Sequence, residues 1–408
     1  MHRLTRARAA VATIFGLNGF LAALWVAHIP VITEHTGTSH GQLGAMLLLV
    51  GATAFVGMQV CGRLIDRIGS RPTTLVAAIV LCGAMLGPVL ATTPGWLALA
   101  LAVFGFTNGS LDVSMNAQAV QVERAYRRPI MSAFHGFFSV GGLLGSGVVA
   151  VGLWMDWPVA VTVAVLGALG LVVVAFASAG LVGRDVGMAE SSAPDASHED
   201  ASRRWWRELD LRRLILLAAV AFAAMLAEGT AYDWSALHVV ETFGTREAIG
   251  AIAFAGFSAA MMVARFVIDP IAARVGPVAV VRWGAVIGAI GMLIALIPSG
   301  EGAPSAIIAI LGWAVFGIGL AGLIPQIFTA AGNLTTRAGG RAISTVVGCG
   351  YLGMLAGPAI VGAIGGVTSL RVGLMPVLFA LAFAAWAAGV VSAPQPVGSR
   401  RRHDTLET

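Results

Sequence analysis

Gly62-Arg63-Leu64-Ile65-Asp66-Arg67-Ile68-Gly69-Ser70-Arg71 is the stretch on which the reading of this chain turns. Four of its ten residues are charged, and uncharged apolar runs flank it near 41–62 and 73–92. A helix rises about 1.5 Å per residue, so about 20 apolar residues cross the hydrocarbon core of a bilayer. The stretch therefore reads as a tight turn between two membrane spans, held at the water boundary by its charges. Gly62 and Gly69 permit close approach and a sharp turn. Asp66 can pair with Arg67 or Arg71 and cap the N-terminus of a neighbouring helix.

The same alternation fills the rest of the chain. Apolar runs fall near 9–32, 41–62, 73–92, 96–120, 130–153, 158–181, 214–239, 247–268, 277–298, 304–328, 342–365 and 372–392. Apolar residues make up 58%, charged residues 11%, and mean hydropathy is +0.87. A water-soluble domain carries about a quarter charged residues, so that class is excluded. Arg3, Arg6 and Arg8 precede an apolar run too long for a signal peptide, so this run is the first span. Cys61, Cys82 and Cys349 have neither metal-ligand nor disulfide spacing and read as packing residues. Lys is absent and the Arg residues are dispersed between spans, which argues against a nucleic-acid partner. No nucleophile triad, zinc spacing or phosphate loop stands out, so neither an enzyme nor a cofactor or metal is expected. The fold class is an all-α integral membrane protein of twelve transmembrane helices.

Arg placement sets the orientation. With the N-terminus inside, only Arg246 and Arg371 of 25 Arg fall outside, and Arg265 counts among the inside residues. Both termini are then cytoplasmic, in a bacterial inner membrane. A polar interval with five acidic residues between Asp185 and Asp200, and the cluster Arg203-Arg204-Trp205-Trp206-Arg207, divides the chain. The expected units are a six-helix bundle over 1–181, a linker over 182–212 and a second bundle over 213–408. The halves echo one another: Gly37-Thr38 in Gly244-Thr245, Asp66 and Arg71 in Asp269 and Arg274, Phe104-Gly105 in Phe316-Gly317, Ser132 in Ser344. Their offsets run from 203 to 212, as in a drifting parallel duplication. Secondary transporters use such a plan, with the site between the halves.

The stretch from Gly62 to Arg71 resembles the loop 2–3 signature of the major facilitator superfamily: Gly, then Leu, then Asp-Arg, then Gly, then a basic residue. That resemblance implies two six-helix pseudo-symmetric bundles, and a latch of the outward-open state made by Gly62, Asp66, Arg67, Gly69 and Arg71 against the start of helix 11 near Gly340-Arg341. Asp269 and Arg274 would form a degraded second latch, with Pro270 in place of the Arg. Leu111-Asp112-Val113-Ser114-Met115-Asn116 and the run from Ser132 to Gly142 are similar to helices 4 and 5 of fucose-permease-like sugar–proton symporters. They also resemble the YbjJ-type bacterial transporters, as does Trp25 with Ile29-Pro30. The helix 1 Asp used for coupling in fucose permeases has no equivalent; Asn18 and His28 stand on that helix instead.

An ionisable residue costs about 2.5–3.5 kcal/mol near the centre of a span, so each needs a reason. Asn108, Asp112 and Asn116 recur every four residues and share one face of helix 4. Asp112 and Glu228, one per half, are the candidate proton carriers, because desolvation disfavours the charged form of a buried carboxylate. His135 is the third candidate. It is about 9 Å along helix 5, at about 1.5 Å per residue, and at a depth where it could share a proton with Asp112. Asn18, Asn108, Asn116, Asp233 and Gln326 are candidate substrate ligands. Trp25 is either a stacking platform for a sugar ring or an interfacial Trp. The function these readings favour is a proton-coupled transporter of a small polar solute such as a sugar or related metabolite, acting as a monomer among membrane lipids. A drug or metabolite exporter is the alternative, although helix 5 lacks the Gly-Pro element of many drug antiporters. A transporter-shaped sensor is the third reading.

Overall fold

In a computed structural model, residues 2–183, 210–298, 300, 302–335 and 339–392 are described. Twelve helices among them are long and apolar enough to cross a membrane. They are α1 His2–Thr36, α2 His40–Ile68, α3 Ser70–Val89, α4 Pro94–Tyr126, α5 Met131–Trp154 and α6 Val159–Ser178, then α7 Leu211–Phe243, α8 Glu247–Val275, α9 Pro277–Leu296, α10 Pro304–Gly332, α11 Gly339–Gly365 and α12 Leu370–Ala387. No strand occurs among the described residues. The Arg203–Arg207 cluster, Arg337 and the Arg400–Arg402 tail lie outside them, as do the expectations that rest on them.

Local chemistry sets the helix ends. Ser39 and Gln42 form a reciprocal capping box at α2, and Thr93, Asp210 and Ser369 each accept a backbone N–H at the starts of α4, α7 and α12. Gly69 and Gly276 turn the chain between α2 and α3 and between α8 and α9 with φ of 92° and 82°. These values favour glycine because it lacks Cβ. α10 breaks at Ala321-Gly322, just before Pro325, and resumes as Leu323–Gly332.

The helices pack as two six-helix bundles related by pseudo-symmetry. α1 packs on α5 and α2 on α4 in the first bundle; α7 packs on α11 and α8 on α10 in the second. Glycines permit the tightest approaches. A Cβ on Gly141 of α5 would stand 1.9 Å from the Gly16 carbonyl of α1, and one on Gly353 of α11 would stand 2.1 Å from that of Phe222 on α7. The bundles meet through α2 against α11 and α5 against α8.

Two sequence expectations change here. Gly37 and Gly69 bracket α2, and Gly244 and Gly276 bracket α8, both at an offset of 207. In that register Asp269 corresponds to Gly62, and Ala273 to Asp66; Arg274 corresponds to Arg67 rather than Arg71. Matching Asp66 with Asp269 by residue type missed this, because Asp269 lies one turn deeper in its helix. The second change concerns Arg265. α8 runs on to Val275, beyond the apolar run, so Arg265 sits about 15 Å from its end at about 1.5 Å per residue. It is 4% exposed and belongs to the interior, not to the cytoplasmic boundary.

Candidate translocation site and its clasps

At the end of the molecule that holds the start of α1, two carboxylates cross between the bundles. Asp66 at the end of α2 accepts the Gly340 N–H at 2.9 Å through Oδ1 and stands 3.5 Å from Arg341 Nε through Oδ2. Gly62 makes room for this contact, since a Cβ there would lie 2.3 Å from Ser344 Oγ. Gln59 donates to the Ser344 carbonyl one turn deeper, at 2.9 Å. Arg341 is thus an ionic partner of Asp66, where the sequence suggested Arg67 or Arg71. Arg71 instead donates to the Ser178 carbonyl at the end of α6, and Arg67 is exposed. The reason is direction: Arg71 lies past the Gly69 turn, in the first turn of α3, and faces its own bundle.

Asp269 of α8 does the corresponding work at α5, accepting the Ser132 and Ala133 N–H groups at 3.1 and 2.8 Å. Glu123 of α4 accepts the two before them, from Ile130 and Met131, each at 2.8 Å. A helix starts with four N–H groups that lack intrahelical partners and with a partial positive charge. Here two carboxylates, one from each bundle, satisfy those donors together. Glu123 also accepts the Thr329 hydroxyl of α10 at 2.7 Å, and Arg124 beside it donates to Asn333 and to the Gly332 carbonyl. Sequence reading passed over Glu123 because it borders the charged loop at 124–128. The available signal was its place just ahead of a helix start that has no side-chain cap of its own.

Deeper in the membrane lies a polar cluster. Arg265 Nη2 donates to Glu228 Oε1 at 3.0 Å, and Nη1 donates to Ser139 Oγ of α5, also at 3.0 Å, so this cation links both bundles. Glu228 is 8% exposed. Such a pair recovers part of the cost of two buried charges, while removing one partner alone costs about 3–5 kcal/mol. Asp112, 7% exposed, accepts the Asn116 amide at 3.4 Å and interacts with Tyr351 of α11 across the bundle interface. Tyr351 also feels Glu228 and Tyr232, so the phenols connect the two carboxylates electrostatically.

The sequence candidates divide. Asp112, Asn116, Glu228 and His135 join this cluster or its border. His135 does not share a hydrogen bond with Asp112: the Phe15 and Phe328 rings flank it, at centroid distances of 5.3 and 5.9 Å, and its nearby charge is Arg265. Asn18 is buried and directs its amide at Met115 Sδ. Asn108 lies one turn from Asp112, and Gln326 is buried just past the α10 break. Trp25 is buried against Phe104, ring centroids 6.4 Å apart, so it is not an interfacial Trp. Its large apolar ring has found a partner within its own bundle. Asp233 is exposed toward the opposite end of α7. Arg265, which completes the cluster, was hidden by the boundary reading of α8.

Similarity to known proteins agrees with this architecture. Residues 9–250 match the family model of the Major Facilitator Superfamily. An uncharacterized MFS-type transporter of Yersinia pestis is 33% identical over 358 residues, which is 88% of each chain. An uncharacterized transporter of Sinorhizobium fredii is 33% identical over 387 residues, covering 93% of this chain and 98% of its own. Among solved structures, the transporter FucP in its outward conformation superposes with a TM-score of 0.78 at 14% identity, covering 95% of this chain and 98% of its own. The family consists of transporters rather than enzymes, and the chain belongs to it: this is a multi-pass membrane transporter of the Major Facilitator Superfamily.

Proposed function

We propose that the protein is a proton-coupled secondary transporter of a small polar solute. The two six-helix bundles rock about the Asp112–Glu228–Arg265 cluster by alternating access. The observation that carries the reading is the pair of buried carboxylates at the bundle interface, Asp112 without a cationic partner among the described residues and Glu228 held by Arg265. A neutral solute with no coupling ion needs no such charges, and each is costly in a membrane, about 2.5–3.5 kcal/mol on insertion scales. The clasped end is cytoplasmic, in line with the Arg distribution, in a bacterial inner membrane. The conformation with both clasps closed is then the outward-facing one, and the transporting unit is the monomer. FucP, described as a fucose:proton symporter, supplies a precedent for this chemistry on this fold.

The test is uptake into proteoliposomes with an internal pH dye. The wild type acidifies the lumen when a transported solute is added outside. Asp112→Asn and Glu228→Gln keep solute exchange but lose accumulation against a gradient. Normal accumulation by both variants would remove proton coupling through these acids.

A further inference from the structure

The unpartnered polar atoms of the interior are not scattered at random. On α1 and α4 of the first bundle they are the acceptors Asn18 Oδ1, Asn108 Oδ1, Asn116 Oδ1 and Asp112 Oδ2, the last on a carboxylate that also interacts with Tyr351; Ser132 Oγ and His135 Nε2 on α5 are unpartnered as well. The Asn116 amide N–H donates to the Asp112 carbonyl at 2.9 Å, and this fixes its Oδ1 as the free atom. On α8 and α10 of the second bundle they include two donors, Arg265 Nε and Gln326 Nε2. Asn18, Asn116, Arg265 and Gln326 are each more than nine-tenths buried. Buried polar groups are ordinarily hydrogen-bonded, so these groups await a ligand with donors at one end and an acceptor at the other.

The guanidinium narrows the acceptor. Nε and Nη2 form one edge of the Arg265 fork, the geometry that matches two carboxylate oxygens. Glu228 engages that edge through Oε1 alone, and Nε is left unpartnered. We propose that the solute is a small hydroxylated carboxylate, a sugar acid rather than a neutral sugar. Its carboxylate replaces Glu228 on the Nε–Nη2 edge of Arg265, and its hydroxyls donate to Asn18, Asn116 and Asp112. This rests on the proton-coupled reading above and names the solute class for the same site.

Charge balance follows. Once displaced, Glu228 keeps Tyr232 on its own helix and Tyr351 of α11 as neighbours; Tyr351 also interacts with Asp112, and His135 interacts with Arg265. Among the described residues these neighbours include no other cation, so Glu228 takes up a proton as the anion takes Arg265. The anion and the proton on Glu228 enter together, so this exchange at Arg265 adds no net charge. Buried donors left unpaired by a neutral analogue are the stronger source of discrimination.

The experiment uses the full chain in nanodiscs at pH 6, without a gradient. Thermal shift and equilibrium dialysis compare D-glucuronate, D-galacturonate and D-gluconate with D-glucose, D-galactose and D-glucosamine. At least one acid binds ten-fold or more tighter than its neutral parent, and its affinity falls as pH rises to 8. Glu228→Gln abolishes that pH dependence and still binds the acid. Arg265→Lys, which keeps the charge but removes the fork edge, loses about ten-fold for the acid and nothing for the parent. The double variant Glu228→Gln with Arg265→Gln, which leaves no charge unpaired, binds acid and parent equally. Failure of every acid to bind, equal or tighter binding of the neutral or amino compounds, or wild-type pH dependence in Glu228→Gln overturns the proposal. Acid binding with this pattern but no proton-driven accumulation in proteoliposomes would sink the coupling reading and leave the solute class standing.

Discussion

The α2–α11 clasp and the α8–α5 clasp occupy equivalent places in the two bundles and are built differently. In the first, Gly62 and Gly340 let two helices touch, and Asp66 reaches round the contact from the helix end to Gly340 and Arg341. In the second, Asp269 stands where Gly62 would, so the carboxylate itself fills the contact and faces the start of α5 head-on. Asp66 is partly solvated, with a side chain 12% exposed against an Arg341 that is 22% exposed. Asp269 is buried, shares its helix terminus with Glu123, and sits one turn from Arg265 and the interior cluster. Pseudo-symmetry therefore conserves where the bundles meet, while the chemistry at each meeting has diverged. The buried clasp is the one mechanically adjacent to the candidate site.

The difference should appear first in Asp269→Ala. The substitution leaves two buried N–H groups and a helix dipole without their acceptor, a loss of about 2–4 kcal/mol from the closed state. Cysteine-accessibility labelling should move strongly toward opening at the clasped end. If labelling stays at the wild-type pattern, the buried clasp carries no closure energy. Glu123→Gln comes next, at about 1–3 kcal/mol, because it weakens the charge-assisted bond from Thr329 of α10 across the bundles, while the Ile130 and Met131 bonds stay within the first bundle. Combined with Asp269→Ala it should be non-additive, since both serve one helix terminus and residues in one network couple by about 0.5–3 kcal/mol. Strict additivity would separate the two carboxylates. Asp66→Asn, at the solvated clasp, should shift labelling in the same direction by only about 0.5–1 kcal/mol. An effect as large as that of Asp269→Ala would erase the distinction between the clasps.

How much of this was legible beforehand follows from what each feature depends on. Twelve spans were readable because lipid forces long uncharged runs, and the α11 partner of Asp66 was readable because the Gly62–Arg71 stretch carries a resemblance. Arg265 was not, since topology counting places Arg at boundaries and the extra turns of α8 past 268 are amphipathic rather than apolar. Asp269 stood out as a candidate latch residue, yet its register did not. Residue type suggested Asp66 as its mate, whereas the glycines that end each helix set the offset. Glu123 was lost among the charges of its loop. His135 and Asp112 share a depth, which rise per residue estimates well. Their separation depends on helix rotation and on the Phe15 and Phe328 rings between elements distant in sequence.

The smallest effect separates the sequence reading of the first clasp from the structural one. The sequence offered Arg71 as the ion-pair partner of Asp66, but Arg71 donates to the Ser178 carbonyl of its own bundle. A bond within one bundle is kept in both the open and closed arrangements, so its loss cannot bias the equilibrium between them. It joins an exposed side chain to a helix C-terminal carbonyl, where the favourable interaction with the helix dipole is about 0.3–1 kcal/mol. Arg71→Gln should therefore lower thermal stability slightly, leave accessibility labelling at both ends unchanged, and leave the Asp66→Asn shift intact when the two are combined. If Arg71→Gln alone opened the clasped end as Asp66→Asn does, and the double variant went no further, Arg71 would be a member of the clasp. The first clasp would then be a charge cluster like the second, rather than a helix contact with one carboxylate at its edge.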